Sequence, residues 1–194
     1  MHSRAATTDH HHLPGRPTDG DAGTGAIDVG ELQRLRPEHA AAVLAFELVN
    51  RAYFAAWITD RGDEFFETFT ERHSALLTEQ EAGAGAYHVL VAEDGSVLGR
   101  FNLVFVDEGV AELGYRVAQH VTGRGVATAA VRGLCLLAAT QYGIRTVRAA
   151  ATTDNTPSQK VLSKAGFVAV GPADPAHLGG RAGTWYERDL RGED

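Results

Sequence analysis

The chain has 194 residues, 44 % of them hydrophobic, enough for one domain with a sizeable core. Its formal net charge of −7 is spread along the chain, which argues against a broad basic face for nucleic acid and suits a cationic acceptor, such as a basic protein terminus or an amino-rich small molecule. A single cysteine, Cys135, excludes an internal disulfide and any metal site built on paired cysteines. No apolar run reaches the roughly 18 residues that cross a bilayer, and the N-terminus lacks an apolar signal core, so the expected address is cytoplasmic, away from membranes.

Residues 1–25 are rich in Gly, Pro, Thr, Asp and His and read as a disordered leader; residues 26–194 read as one domain. His10, His11 and His12 lie in that leader without the spacing of a metal site, and no metal is expected. Residues 27–35 are a short strand candidate. Pro37 opens a helix that runs to about Asn50, because proline suits a first turn. An aromatic patch follows, with Asn50, Tyr53, Phe54 and Trp57. A second helix is expected from about 63 to 80, with Phe65, Phe66, Phe69, Leu76 and Leu77 on one stripe. These aromatics either pack the core or line a substrate cleft between the helices and a sheet.

From Tyr87 the hydrophobic period becomes two. Strands at 87–92 and 97–106 flank an Asp94-Gly95 turn signal, and a tight turn at 107–109 leads to a third strand ending at Val117. On that strand Leu113, Tyr115 and Val117 share one face, and Glu112 and Arg116 the other. A helix is expected from Val126 to Tyr142, with Cys135 as a small core residue. Then follow a strand at 146–152, a helix at 156–165, a strand from Phe167 to Val170 and a last strand at 184–190. The order gives an α/β domain of the α+β type with a mixed, mostly antiparallel sheet and helices on both faces.

The stretch from Val117 to Thr128 carries the strongest chemical signal. A strand runs through Gly123-Arg124-Gly125 into a helix, which offers free backbone N–H groups at the positive end of the helix dipole. Glycine there also leaves room for a pyrophosphate to approach the backbone. A plain tight turn could use the same two glycines. Two standard phosphate loops fail: there is no Gly-x4-Gly-Lys-Ser/Thr, and Thr128 stands where a Gly-x-Gly-x-x-Gly turn needs its third glycine.

About thirty residues later comes Asp154-Asn-Thr-Pro-Ser-Gln-Lys-Val-Leu-Ser-Lys-Ala-Gly-Phe167. With Tyr115-Arg-Val and Gly123-Arg-Gly-Val-Ala127, it resembles the GNAT superfamily of acetyl-CoA-dependent N-acetyltransferases over about residues 27–190. Glu112-Leu-Gly-Tyr115, Asn50-Arg51 and Asn155-x-x-Ser158 are similar to the Rim-type branch of ribosomal-protein alanine N-acetyltransferases. The resemblance implies acetyl-CoA as co-substrate, held by Tyr115, Arg116, Val117, His120, Val121, Thr122, Gly123, Arg124, Gly125, Val126, Ala127, Thr128, Asn155 and Ser158. It also implies that the strand at 113–117 splays from that at 146–152, so that the pantetheine arm pairs with freed backbone groups. His120 departs from the family's Arg or Gln. Asn155 would bond the arm or cap a helix.

The same resemblance implies direct attack by a primary amine, with Glu112 as base and Ser158 as donor to the leaving thiolate. Glu112 could instead be a solvent-facing or ion-paired strand residue, and Ser158 a plain first-turn residue. The family's usual acid, a tyrosine, is replaced by Leu162. Asn50, Tyr53, Phe54, Trp57 and Phe66 are the expected acceptor contacts. The acceptor would be a protein N-terminal amine or a small amine such as an antibiotic, and the protein a monomer or homodimer. The alternative is a sensor or interaction module that keeps the fold and binds acyl-CoA without turnover.

Overall fold

A computed structural model of the chain describes residues 30–192, so the proposed leader and the start of the first strand candidate lie outside the described residues. Seven strands form one sheet: β1 (Glu31–Arg34), β2 (Gly85–Val91), β3 (Val97–Asp107), β4 (Val110–Val117), β5 (Thr146–Thr152), β6 (Val168–Ala173) and β7 (Gly183–Asp189). Their spatial order is β1-β2-β3-β4-β5-β7-β6. Every neighbouring pair is antiparallel except β4 with β5, which are joined through a crossover helix.

The six α-helices are α1 (Ala40–Val49), α2 (Arg51–Ala55), α3 (Asp63–Glu67), α4 (Phe69–Glu81), α5 (Val126–Tyr142) and α6 (Thr156–Lys164). The helix expected from Pro37 starts as a 3-10 turn, Pro37–His39, before α1. The single helix expected over 63–80 is two helices. Thr68 leaves helical geometry at φ −102°, ψ 22°, and its hydroxyl donates to the Glu64 carbonyl at 2.7 Å, closing α3 before α4 begins. The aromatic patch is itself helical, as α2.

Alternation along the strands sorts the two faces. His88, Phe101 and Tyr115 lie on the α5 and α6 side: His88 meets Tyr142, and Tyr115 meets Ser158. Tyr87, Arg100 and Arg116 lie on the α1 and α4 side, where Tyr87 donates to Glu79 and both arginines donate to Glu47. The core is continuous through the sheet, with Val89, Phe101, Leu103, Leu134, Val147 and Leu162 fully buried. Cys135 belongs to it, 1 % exposed.

One irregularity positions the site. β4 and β5 pair only at Val110↔Thr146, Ala111↔Val147 and Glu112↔Arg148. Beyond that rung β4 keeps β3 on one side and β5 keeps β7 on the other, and the two strands part. Polar backbone groups from Leu113 to Val117 and from Ala149 to Thr152 therefore face a gap in the middle of the sheet.

Candidate active site

A cavity of about 550 Å³ lies where the strands have parted, beside the last residues of β4. Tyr115, Arg116 and Val117 of β4 form one wall, and Asn155, Thr156, Pro157, Ser158, Lys160, Val161 and Lys164 of α6 and its approach form another. Val121 to Gly123 and Gly125 to Thr128 close one end; Tyr53, Phe54, Trp57 and Ile58 close the other. The cavity therefore runs past the end of β4, from the start of α5 and α6 to α2.

The turn before α5 is built from backbone. Gly123 and Gly125 have φ of 74° and 81°, a left-handed geometry that side chains disfavour, and a Cβ on either would meet no protein atom within 4 Å. No side chain caps α5; Gly125 is its N-cap. Thr122 N–H donates to Gln119 and Ala129 N–H to Gly125, while the N–H groups of Gly125 to Thr128 open the helix and have no acceptor within it. Such donors at a helix start fit a pyrophosphate. His120 is exposed and, like Arg124, lies outside the cavity lining.

Asn155 caps α6: its Oδ1 accepts from Ser158 N–H at 3.1 Å. Asn155 and Ser158 also both line the cavity, so the cap aims the first turn of α6 at the gap. The Ser158 hydroxyl lies 3.0 Å from the Tyr115 hydroxyl. Burial pushes the Tyr115 phenol up to about 12, against the opposing pull of its bond to Ser158. Leu162, one turn further along α6, is fully buried and outside the lining.

Glu112 sits on the last paired rung, where the strands part. Its Oε1 accepts from Arg148 Nη2 at 2.6 Å and Nε at 3.1 Å, and the Arg148 guanidinium lies 5.0 Å from the Trp185 ring centre. The ion-paired alternative for Glu112 thus describes its present contact. Its Oε2 has no protein partner among the described residues, and the residue lies outside the cavity lining.

Behind the aromatic end lies a buried charged cluster that no sequence motif announces. Glu47, 1 % exposed on α1, takes Arg100 Nη1 at 2.6 Å and Arg116 Nη1 at 3.0 Å, with Arg61 at 3.9 Å. Burial draws the Arg61 guanidinium down to about 10; Glu47 opposes the shift and neighbouring arginines add to it. Arg116 also stacks over Phe54 at 5.2 Å. These contacts tie β3 and β4 to α1 beside the cavity. A glutamate between Phe46 and Leu48 in an otherwise apolar helix was the available signal. Arg181, in the β6–β7 loop, donates to the Trp57 carbonyl and pairs with Asp154, so the loops after α2, β5 and β6 meet.

Of the expected acceptor contacts, Tyr53, Phe54 and Trp57 line the cavity. Asn50 does not: it is 5 % exposed, donates to the Phe46 carbonyl and accepts from Gln119 N–H at 2.9 Å, so both ends of its amide are used by the fold. Phe66 carries the Arg51 guanidinium at 4.8 Å and borders a separate small cavity with Glu47 and Arg61.

Comparison with known proteins agrees with this geometry. The model of the acetyltransferase (GNAT) domain matches residues 31–168. The chain is 32 % identical over 89 residues to "Uncharacterized N-acetyltransferase p20" of Bacillus licheniformis, a match covering 45 % of this chain and 50 % of that protein, so it spans half the length of that relative. It is 28 % identical over 152 residues to "Putative ribosomal N-acetyltransferase YdaF" of Bacillus subtilis strain 168, covering 73 % of this chain and 79 % of that one. Among solved structures, the ribosomal-protein-S5-alanine acetyltransferase from Vibrio fischeri superposes with a TM-score of 0.79 at 19 % identity, over 87 % of this chain and 97 % of that one. The chain belongs to the GNAT acetyltransferase family. With the family come the enzyme class, N-acetyltransferase, and acetyl-CoA as co-substrate.

Proposed function

We propose that the protein transfers acetyl from acetyl-CoA to the α-amine of a protein N-terminus, in a ternary complex, and that it works in the cytoplasm. The observation that carries this reading is the cavity beside the parted strands, with the open start of α5 at one end and an aromatic wall at the other. The ribosomal substrates in the names of YdaF and the Vibrio fischeri protein support a protein acceptor, and the net charge of −7 suits a cationic one.

Acetyl-CoA supplies a thioester, an acyl group that a neutral amine can attack directly. The chain's own residues do the rest. The backbone N–H groups of Gly123 to Thr128 bind the pyrophosphate. The free edge of β4 from Leu113 to Val117 pairs with the amide-rich arm and offers an N–H to the carbonyl oxygen as it gains charge. Tyr53, Phe54 and Trp57 exclude water around the incoming amine. Glu112, through Oε2 and a bridging water, takes the amine's proton, while Arg148 fixes the carboxylate's orientation. Ser158, held by the Asn155 cap, gives a proton to the departing sulfur.

The test is a panel of peptides with free N-terminal Ala or Ser, the same peptides with blocked N-termini and internal lysine, and small polyamines. Acetyl-CoA-dependent thiol release should appear with the free N-termini, with one acetyl added at the α-amine by mass spectrometry. Turnover with small amines alone would replace the proposed acceptor. CoA binding without turnover of any amine would leave a sensor of the same fold.

A further inference from the structure

Leu162, one turn along α6 from Ser158, is buried and aliphatic, so it offers the cavity no proton. A phenol nonetheless reaches the same wall of the cavity from the opposite strand. Tyr115 and Ser158, 43 residues apart in sequence, meet at 3.0 Å, and both line the cavity. The Tyr115 ring is fixed by stacking on Phe101, with centres 6.0 Å apart and planes 8° from parallel. Ser158 is fixed through its backbone by the Asn155 cap. The phenol ring and the Ser158 backbone are thus both held in place, and the serine side chain meets the phenol.

The direction of that bond decides what the pair can do. A serine hydroxyl is one donor and two acceptor sites. If Tyr115 donates to Ser158 Oγ, the serine proton is left to point into the cavity, and the accepted bond makes that proton a better donor. The Ser158 carbonyl, 3.4 Å away, is a poorer acceptor for the same phenol.

We propose that Tyr115 is a positioning residue for the transfer, its phenol orienting the Ser158 hydroxyl toward the departing sulfur and replacing the proton that Ser158 gives up. This rests on the role given to Ser158 above. The steps balance: the C–S bond breaks as the C–N bond forms, the amine proton leaves to Glu112 and solvent, Ser158 O–H protonates the sulfur, and Tyr115 O–H reprotonates Ser158. The phenolate left behind takes one proton back from water, which the high affinity of the buried phenol favours.

Ser158→Ala, Tyr115→Phe and the double variant test this. Phe keeps the ring and its stacking on Phe101, so the fold is retained. Each single variant should lower kcat by about tenfold, the worth of one hydrogen bond to a charged group. The double variant should be no worse than Ser158→Ala, and the KM for acetyl-CoA should hardly move. The second readout needs no turnover: the thiol of bound CoA is titrated by thiolate absorbance against a desulfo-CoA blank. Its pKa should rise by about one unit in Ser158→Ala and shift in the same direction in Tyr115→Phe. Wild-type kcat and thiol pKa in Tyr115→Phe, with Ser158→Ala impaired, would overturn the role of Tyr115 and leave that of Ser158. Loss of CoA affinity alone in Tyr115→Phe would overturn it equally, as a purely structural contact. Wild-type behaviour of Ser158→Ala would remove both.

Discussion

The two ends of the cavity are made differently. The turn at 122–128 is backbone: two glycines of positive φ and the open start of a helix, all within a few residues of sequence. The other end is side chains: Tyr53, Phe54 and Trp57 line it, Arg116 lies over Phe54, Arg181 joins Trp57 to Asp154, and outside the lining Glu47 pairs with Arg116, Arg100 and Arg61. Phosphate is recognised by a geometry that a short stretch of chain can form alone. An acceptor is recognised by groups that only the folded sheet brings together. One end can therefore stay constant while the other changes substrate.

Three substitutions sharpen or break that contrast. Glu112→Gln, at the rung between the two ends, keeps shape and removes the base. Turnover at neutral pH should fall roughly 10²–10⁴-fold and partly recover as pH rises, with CoA affinity unchanged. An N-terminal amine, with a pKa near about 8, predicts the lower part of that range. Wild-type turnover from about pH 6 to about pH 9 would leave catalysis by positioning alone. Glu47→Gln strips the carboxylate that two buried or half-buried arginines share and should cost about 3–5 kcal/mol of stability, read as a lower denaturation midpoint. The folded fraction should bind CoA normally; a matching loss of CoA affinity would mean that the two ends are not separable. Gly125→Asp strains a left-handed position and puts a negative charge beside the phosphates. Calorimetry should show CoA affinity lower by about a hundredfold, with the fold intact by circular dichroism. Unchanged affinity would place the pyrophosphate elsewhere.

The same contrast explains what the sequence disclosed. α5 and β5 run between the expected residues because glycines and a change of hydrophobic period mark their ends. The turn was legible for the same local reason, and so was the alternation that puts Tyr115 and Arg116 on opposite faces. The Glu47 cluster was not legible, because Arg116 and Glu47 are 69 residues apart and nothing local pairs them. The place of Asn50 before the aromatic patch suggests an acceptor contact, yet its amide bonds to Phe46 and Gln119. The break at Thr68 leaves no local signal, because threonine is tolerated within helices and ends one only when its hydroxyl competes for a carbonyl. The pairing of Tyr115 with Ser158 required the strands to part as they do, a property of the whole sheet.

Amide hydrogen exchange with and without CoA tests the central claim most directly. In the free protein the N–H groups of Gly125 to Thr128 open α5 without an acceptor inside the helix and should exchange fast. Saturating CoA should slow exchange there and along the splayed part of β4, Leu113 to Val117, while α4 stays as it was. Slowed exchange at other segments, with residues 113–128 unchanged at saturation, would contradict the placement of acetyl-CoA through the parted strands.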